Sequence, residues 1–460
     1  MDELPEEILE IIFSNVSPYK EYDTLSAVCK KWKRILNGMN KQLPINFENY
    51  VASGAIEWFK VEECSQSVVI APRIAQVACY NDYTKSMFVF GGRSFSSSSS
   101  GFNDLIQLDL NSLTWMRPVV KGAVPPPKFN SVFESYKTYL ILFGGSSLPP
   151  NNTLGRGSAK YTNDLYVYNI KSGTWTVKSF LPANCPPEMY LPQSCILMDD
   201  DDDSSMDTMV VYGGQKMALL NQTNKELWCL NLETWVWQKQ TLVGEPSPDS
   251  FFETSKSVIC HLRLTAYSMA LMILPHSPYT FCAWLLFRSG WKEWTWKKIE
   301  ILSGQYSPFF NLHQSIAQVQ VGNKLVLFGN MCSEEYKPQL HKVSELRILK
   351  TSATTNVKTV CMKKNILNVM NSCSPGTSVH ANTKGLYIFL LDLQNIETEN
   401  AVKWINQLDP IEQKLRPSFV GKEIPSNVTA VLGKGEIILH SAVKHGKKVC
   451  MSLYIVRGYK

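Results

Sequence analysis

The chain has 460 residues, 44% hydrophobic and 19% charged, with 12 Trp, 19 Tyr and 20 Phe. This excludes a disordered chain and leaves enough apolar mass for two or three domains or one large repeat fold. The 46 basic and 40 acidic residues are spread along the length, so the net charge of +6 comes without a basic block and no nucleic-acid partner is expected. The 12 cysteines contain no Cys-x-x-Cys pair, which argues against zinc and redox motifs and predicts that no metal and no cofactor is used. The N-terminus opens on Met1-Asp2-Glu3-Leu4-Pro5 without a secretory pattern, so the thiols are expected to be reduced, in the cytoplasm or the nucleus. The most apolar stretch, Leu262 to Phe287, is interrupted by Arg263, Pro275, His276 and Pro278, so no membrane span is expected.

Residues 4 to 37 read as helical. Pro5 suits a first helical turn, Glu6 and Glu7 complement the helix dipole, and Ile8, Ile12 and Val16 recur at helical spacing. A second start follows at Ser17-Pro18 or Asp23, after which Leu25, Val28, Cys29, Trp32, Ile35 and Leu36 keep the period until Gly38 offers a stop. Leu4, Leu9, Ile11 and Phe13 widen the first stripe beyond what about 40 residues can bury alone, so the module either packs on the rest of the chain or offers an apolar surface to a partner.

The string Leu4-Pro5-x-Glu7-Ile8-Leu9-x-x-Ile12-Phe13-Ser14, followed by Leu25 and Val28-Cys29-Lys30-x-Trp32, resembles an F-box over nearly the whole of that motif. The resemblance implies binding to a Skp-type adaptor and through it to a cullin, with Leu4, Pro5, Ile8, Leu9, Leu25, Val28 and Trp32 contacting the adaptor or shaping that surface.

From residue 56 the pattern becomes short apolar strands between Gly, Pro, Ser and Asn clusters, an all-β repeat signature. An apolar strand ends in twin glycines at Met87–Gly92, Leu140–Gly145 and Met209–Gly214. A third strand follows at Asn103-Asp104-Leu105, Asn163-Asp164-Leu165 and Glu226-Leu227, and Trp115, Trp175 and Trp235 close the units at equal spacing. The unit resembles the kelch repeat. Later units are degenerate: Leu274 is followed by Pro275-His276, Phe328 by Gly329-Asn330 and Leu439 by His440-Ser441. Second strands near 87, 140, 209, 269, 325 and 437 count six blades, and the last lacks an outer strand that Ile56–Lys60 can supply. The expected fold is mainly β, a six-bladed kelch-type β-propeller with a small N-terminal all-α F-box module. The expected domains are 1–45 and 46–460, with residues 56–61 closing the last blade and an insertion at about 330–380.

In such a ring the connections from second to third strand lie on one face, and here they are long: Arg93 to Phe102, Ser146 to Thr162, Gln215 to Lys225 and Asn330 to about Gly385. Recognition usually resides in long loops on a rigid scaffold, so Arg93, Arg156, Lys160 and Lys216 are candidate contacts for an acidic or phosphorylated protein substrate. Asp199–Asp203 falls on the other face and reads as a solvated loop. The seven histidines have no metal-ligand spacing, and neither a phosphate loop nor a nucleophile elbow occurs, so no catalytic residue is expected. The resemblance thus implies a substrate-recognition subunit of an E3 ubiquitin ligase, the alternative being a kelch scaffold without ligase role.

Overall fold

The computed structural model describes residues 4–53, 55–61, 68–94, 101–147, 160–198, 207–216, 226–244, 258–262, 269–277, 280–290, 293–302, 317–329, 387–396, 398–404, 425–445 and 448–458. Three helices open the chain: α1 (Glu6–Phe13), α2 (Lys20–Ser26) and α3 (Lys30–Ser53). Gly38 does not stop α3, which runs on through Pro44 and across the expected boundary at residue 45. The reason is tertiary, because Phe47 and Val51 on its last turns are buried against the β domain. That burial outweighs the weak helix preference of Gly and the hydrogen bond lost at Pro44.

The β domain is a six-bladed propeller of four-stranded antiparallel sheets, whose strands are lettered a to d from the inside outward. Blade 1 has Val77–Asn81, Ser86–Phe90, Leu105–Asp109 and Thr114–Met116; blade 2 has Val132–Tyr136, Tyr139–Phe143, Leu165–Asn169 and Thr174–Lys178. Blade 3 has Gln193–Leu197, Thr208–Tyr212, Leu227–Asn231 and Trp237–Lys239; blade 4 has Val258–Leu262, Met269–Ser277, Thr280–Gly290 and Glu293–Leu302. Blade 5 has Ala317–Val321, Lys324–Gly329, Tyr387–Asp392 and Ala401–Trp404. Blade 6 takes strands a to c from Pro425–Leu432, Glu436–His445 and Lys448–Gly458, and strand d from Ile56–Val61, with Trp58 opposite Val456 and Val61 opposite Leu453. Each a strand touches the next, and that of blade 6 touches that of blade 1, so the six form a ring.

Apolar side chains interdigitate between neighbouring blades, as at Phe88, Phe90, Leu140, Leu142 and Trp175 between blades 1 and 2. The b strands of blades 1 to 3 end in twin glycines with φ of +66° and +94°, +65° and +81°, and +75° and +80°. A Cβ on Gly91 would meet the Lys128 carbonyl oxygen and one on Gly145 the Ser131 side chain and the Phe129 carbonyl, so these two positions exclude side chains on space as well as on angle. Blade 6 differs: its b strand continues through His440-Ser441 to His445.

The third repeat departs from the spacing read in the sequence. Trp115 and Trp175 are buried opposite Leu108 and Tyr168, but the residue opposite Leu230 is Trp237, not Trp235. Trp235 sits in the preceding turn at φ +58°, where blade 2 has Gly173 at +67° and blade 1 has Leu113 at +53°. It packs edge-on against Tyr139, at 5.8 Å between ring centroids.

Candidate functional site

The amphipathic pattern of α1 divides cleanly in space. Leu9 and Phe13 point inward, where with Tyr22, Trp32, Ile35 and Leu36 they form the helical core; Phe13 and Trp32 meet edge to face at 5.0 Å. Leu4 and Leu25 pack partly against this core. Pro5 and Ile8 lie on the exposed side, joined by Ile11, Ile12 and, from the turn before α3, Val28. Ile8 is 43%, Ile11 60% and Val28 59% exposed, branched apolar side chains left to solvent. Of the seven candidate adaptor residues, Pro5, Ile8 and Val28 therefore lie on the surface, whereas Leu9 and Trp32 support it from beneath. Ile11 and Ile12 were missing from that set. Their signal was the spacing itself, since they fall three and four residues after Ile8, on its face of the helix.

The helical module is fastened to the ring. Tyr19, just before α2, is buried among blades 6 and 1, and its hydroxyl donates to Glu436 Oε1 at 2.6 Å. Arg457 Nε donates to the other oxygen of that carboxylate at 2.5 Å. Burial, followed by the Glu436 charge, raises the Tyr19 pKa well above the usual phenol range, so the hydroxyl stays a donor. On α3, Glu48 accepts from the backbone N–H of Asn323 at 2.8 Å. These contacts fall on the a-to-b turns of blades 5 and 6, the face of the ring opposite to the b-to-c connections. The exposed apolar strip and the candidate substrate loops thus belong to opposite faces of one body.

On the b-to-c face, short ladders continue above the blades: Arg73–Ile74 with Arg93–Ser94, Lys128–Phe129 with Ser146–Ser147 and Lys160–Tyr161, and Met189–Tyr190 with Gln215–Lys216. Two fully buried cations hold this collar. Arg73 donates to both oxygens of Asp104, at 2.7 and 3.0 Å, and to the Gly91 carbonyl at 3.0 Å. Lys128 donates to Thr162 Oγ1 at 2.5 Å and reaches the Gly144 carbonyl and Asp164 Oδ2 at 3.3 Å. Burial lowers the Lys128 pKa and the Asp164 charge opposes it. In blade 3 Met189 occupies this place, and the cation is dispensed with.

Of the four candidate substrate contacts, Arg93 lies on the collar with its guanidinium 5.7 Å from the centre of the Phe129 ring. Its Nε is buried without an acceptor among the described residues. Lys160 is 70% exposed and pairs with Glu188 at 3.7 Å, which partly cancels its charge. Lys216 is placed only by its backbone, in the ladder with Met189. Arg156, the interiors of the long connections and Asp199–Asp203 lie outside the described residues.

Residues 1–39 match the F-box-like family, and residues 49–261 match the KLHDC2/KLHL20/DRC7 Kelch-repeats domain family. Host cell factor 1 of Rattus norvegicus is 30% identical over 192 residues, 39% of this chain and 9% of that protein. Dynein regulatory complex subunit 7 of Chlamydomonas reinhardtii is 35% identical over 77 residues, 17% of this chain and 6% of that protein. The chain therefore spans under a tenth of the length of these curated relatives. Among solved structures, that of YjhT is similar at a TM-score of 0.47 and 12% identity, over 83% of this chain and 98% of that one. With the matching residues and the blades in register, the chain joins an F-box-like domain to kelch repeats, the architecture of F-box/kelch proteins.

Proposed function

We propose that the protein is a substrate receptor of a cullin-type ubiquitin ligase, in which the helical module binds a Skp-type adaptor and the b-to-c face of the propeller binds the protein to be ubiquitinated, in the cytoplasm or the nucleus. The observation that carries this reading is the strip Pro5, Ile8, Ile11, Ile12 and Val28, left exposed on a module whose opposite side is already buried in its own core. A helical hairpin that served only as a brace for the ring would bury that strip against it. The likeness of residues 1–330 to F-box only protein 42, through Glu6-Glu7, Phe102-Asn103-Asp104-Leu105 and Leu108-Asp109-Leu110-Asn111-Ser112, belongs to the same reading.

In this role the protein does no bond chemistry. It holds a substrate lysine near the conjugating enzyme and raises its effective concentration. The anchors at Tyr19, which is buried, and at Glu48 support such a role, because an arm that hinged freely would spread the substrate over a larger volume. Burial raises the thiol pKa values of Cys79, Cys185 and Cys229, the last to about 12, opposite to what a nucleophilic cysteine requires. On the substrate face, Arg93 is the best-placed cation for an acidic or phosphorylated segment.

The test is retention of recombinant Skp-type adaptor on the immobilised protein. Ile8→Glu with Val28→Glu, and separately Leu4→Ala with Pro5→Ala, are expected to abolish retention, because apolar anchors in such interfaces each contribute about 2 kcal/mol or more. The first pair should leave the melting temperature unchanged. Undiminished retention by both would refute the adaptor role and leave the scaffold reading.

A further inference from the structure

The outer edge of a propeller blade is an open strand, and this chain covers most of its edges from within. In blade 2 the incoming connection lies parallel to strand d: Lys121 donates to the Gly173 carbonyl at 2.9 Å and Ala123 to the Trp175 carbonyl at 3.0 Å. In blade 4 residues Thr241–Gly244 run parallel to strand d, with Gly244 opposite Trp296 as Gly122 is opposite Trp175. In blade 1 Val68 donates to the Trp115 carbonyl at 3.0 Å. Blade 4 also pairs with blade 5 along Glu300–Leu302, and blade 6 ends in the strand Ile56–Val61.

Blade 3 is different, and its sequence says why. Lys128 and Met189 occupy the same place ahead of blades 2 and 3: each amide donates to the carbonyl preceding strand c of the blade before, Phe102 or Thr162, and each carbonyl accepts from a twin glycine, Gly92 or Gly145. Counting back seven residues from each places Pro182 where blade 2 has Lys121, and six residues places Ala183 where it has Gly122. Pro182 has no N–H to donate. Ala183 carries the Cβ that at Gly122 would strike the Trp175 carbonyl oxygen. The segment turns away as a 3-10 helix, Pro182–Asn184, in which the Asn184 amide donates to the Leu181 carbonyl at 2.8 Å instead of to the sheet.

A groove of about 460 Å³ is left between this turn and the sheet, lined among others by Pro182, Asn184, Cys185, Trp228, Trp237 and Lys239. The Val236 carbonyl and the Gln240 amide face strand c, bonding Asn231 and Leu227, so by alternation the Trp237 and Lys239 backbone groups face outward. Among the described residues nothing takes the place at the Trp237 carbonyl that Ala123 takes at Trp175. The indole N–H of Trp237, itself buried, also has no acceptor there.

We infer that the edge Trp237–Lys239 is a docking site for an extended segment of another protein, added as a parallel strand where the chain's own connection has been diverted. The occupied blades define the ligand. It carries a small residue opposite Trp237, since this position is glycine in blades 2 and 4 and Ser67, the residue before Val68, in blade 1, and its next residue supplies the amide for the Trp237 carbonyl. Proline is excluded one residue before that position, since Lys121 donates from there in blade 2. The chain's own segments of this kind are already committed to blades 2 and 4. The site lies on the outer rim, and it stands whether or not the helical module binds an adaptor.

The test uses a fluorescently tagged peptide copying residues 118–125, the segment that covers blade 2, titrated into the full-length protein by anisotropy. Saturable binding is expected, and the same peptide with valine at the glycine position should bind about tenfold more weakly or worse. Pro182→Lys with Ala183→Gly restores the blade 2 pattern and should close the edge, abolishing binding while the protein still melts cooperatively. Absence of saturable binding to the natural chain, equal binding of the valine peptide, or full binding by a folded double variant would each overturn the inference. Concentration-dependent dimerisation lost in the double variant would overturn it too, by making a second copy the occupant.

Discussion

His440 offers a direct test of the blade 6 to blade 1 junction, because a histidine there should make the ring sensitive to acid. Its ring is buried, lies 4.9 Å from the Trp115 ring centre at an interplanar angle of 47°, and has no hydrogen-bond partner for either nitrogen among the described residues. Burial first, and then the charge of Arg73, lower its pKa from 6.5 to about 3. The unfolded chain therefore binds the proton between those values and the folded chain does not, so stability is full above about pH 6.5 and falls as the pH drops through this window. At about 1.4 kcal/mol per pH unit, lowering the pH from 7 to 5 should cost about 2 kcal/mol through this one group. Carboxylates titrate over part of the same range, so the quantity to measure is the difference between the natural protein and His440→Phe. The phenyl ring keeps the volume and the contact with Trp115 but takes up no proton. Urea unfolding at several pH values should show the gap in stability moving in favour of the variant by about 2 kcal/mol between pH 7 and 5. Parallel pH profiles would mean that the imidazole is hydrated or protonated in the folded state and would refute the reasoning.

Two glycines separate backbone requirement from packing. Gly91→Val should destabilise by at least about 1–3 kcal/mol from its φ of +66° alone, and by more from contact with the Lys128 carbonyl, whereas Gly38→Ala, inside α3 with nothing within 4 Å of the added methyl, should raise the melting temperature by stabilising the helix about 0.5–1 kcal/mol. Thermal unfolding followed by circular dichroism distinguishes the two signs. A fragment starting at residue 45 keeps Phe47, Val51 and the strand Ile56–Val61, and it should melt cooperatively; one starting at residue 63 loses the strand paired with Lys448–Gly458 and should aggregate. A soluble, cooperatively melting fragment from residue 63 would refute the closing role of that strand.

What could be read in advance follows from which interactions repeat along the chain. The b strands with their twin glycines, the c strands and the first two Trp positions were legible, because each blade solves the same local problem with the same residues and period-2 alternation marks each strand. The fourth blade looked irregular because its b strand ends in Pro275-His276, yet Met269–Ser277 and Thr280–Gly290 pair through that stretch with a register shift between Pro275 and Ser277. Trp235 misled for a definable reason: two residues are added between Asn169 and Asn231 relative to the interval from Asp109 to Asn169, so equal spacing of Trp selected the residue in the turn instead of the one in the strand. In the helical module the repeat of Ile8 and Ile12 against Leu9 and Phe13 was visible, but which stripe faced inward was not. That choice depends on Trp32, Ile35 and Leu36, which arrive from a different helix.

The interactions that fix one module to another left no periodic signal at all. Tyr19 and Glu436 are 417 residues apart, and Glu48 meets Asn323 across 275. No pattern within either segment distinguishes a tyrosine that will be buried against a distant carboxylate from one left on the surface. Substitutions between repeats carry information of the opposite kind, since the neighbouring blades supply the expectation. Met189 in place of Lys128 removes a buried cation that the next blade does without, and the change is silent because an apolar side chain fills the same space without needing partners. Pro182 and Ala183 in place of Lys121 and Gly122 are not silent, because Pro182 removes a backbone donor and Ala183 adds a Cβ that at Gly122 would meet the Trp175 carbonyl. A repeat protein therefore states its own structural rule several times over, and blade 3, which breaks the rule at backbone-critical positions, is the one whose edge has no covering strand among the described residues.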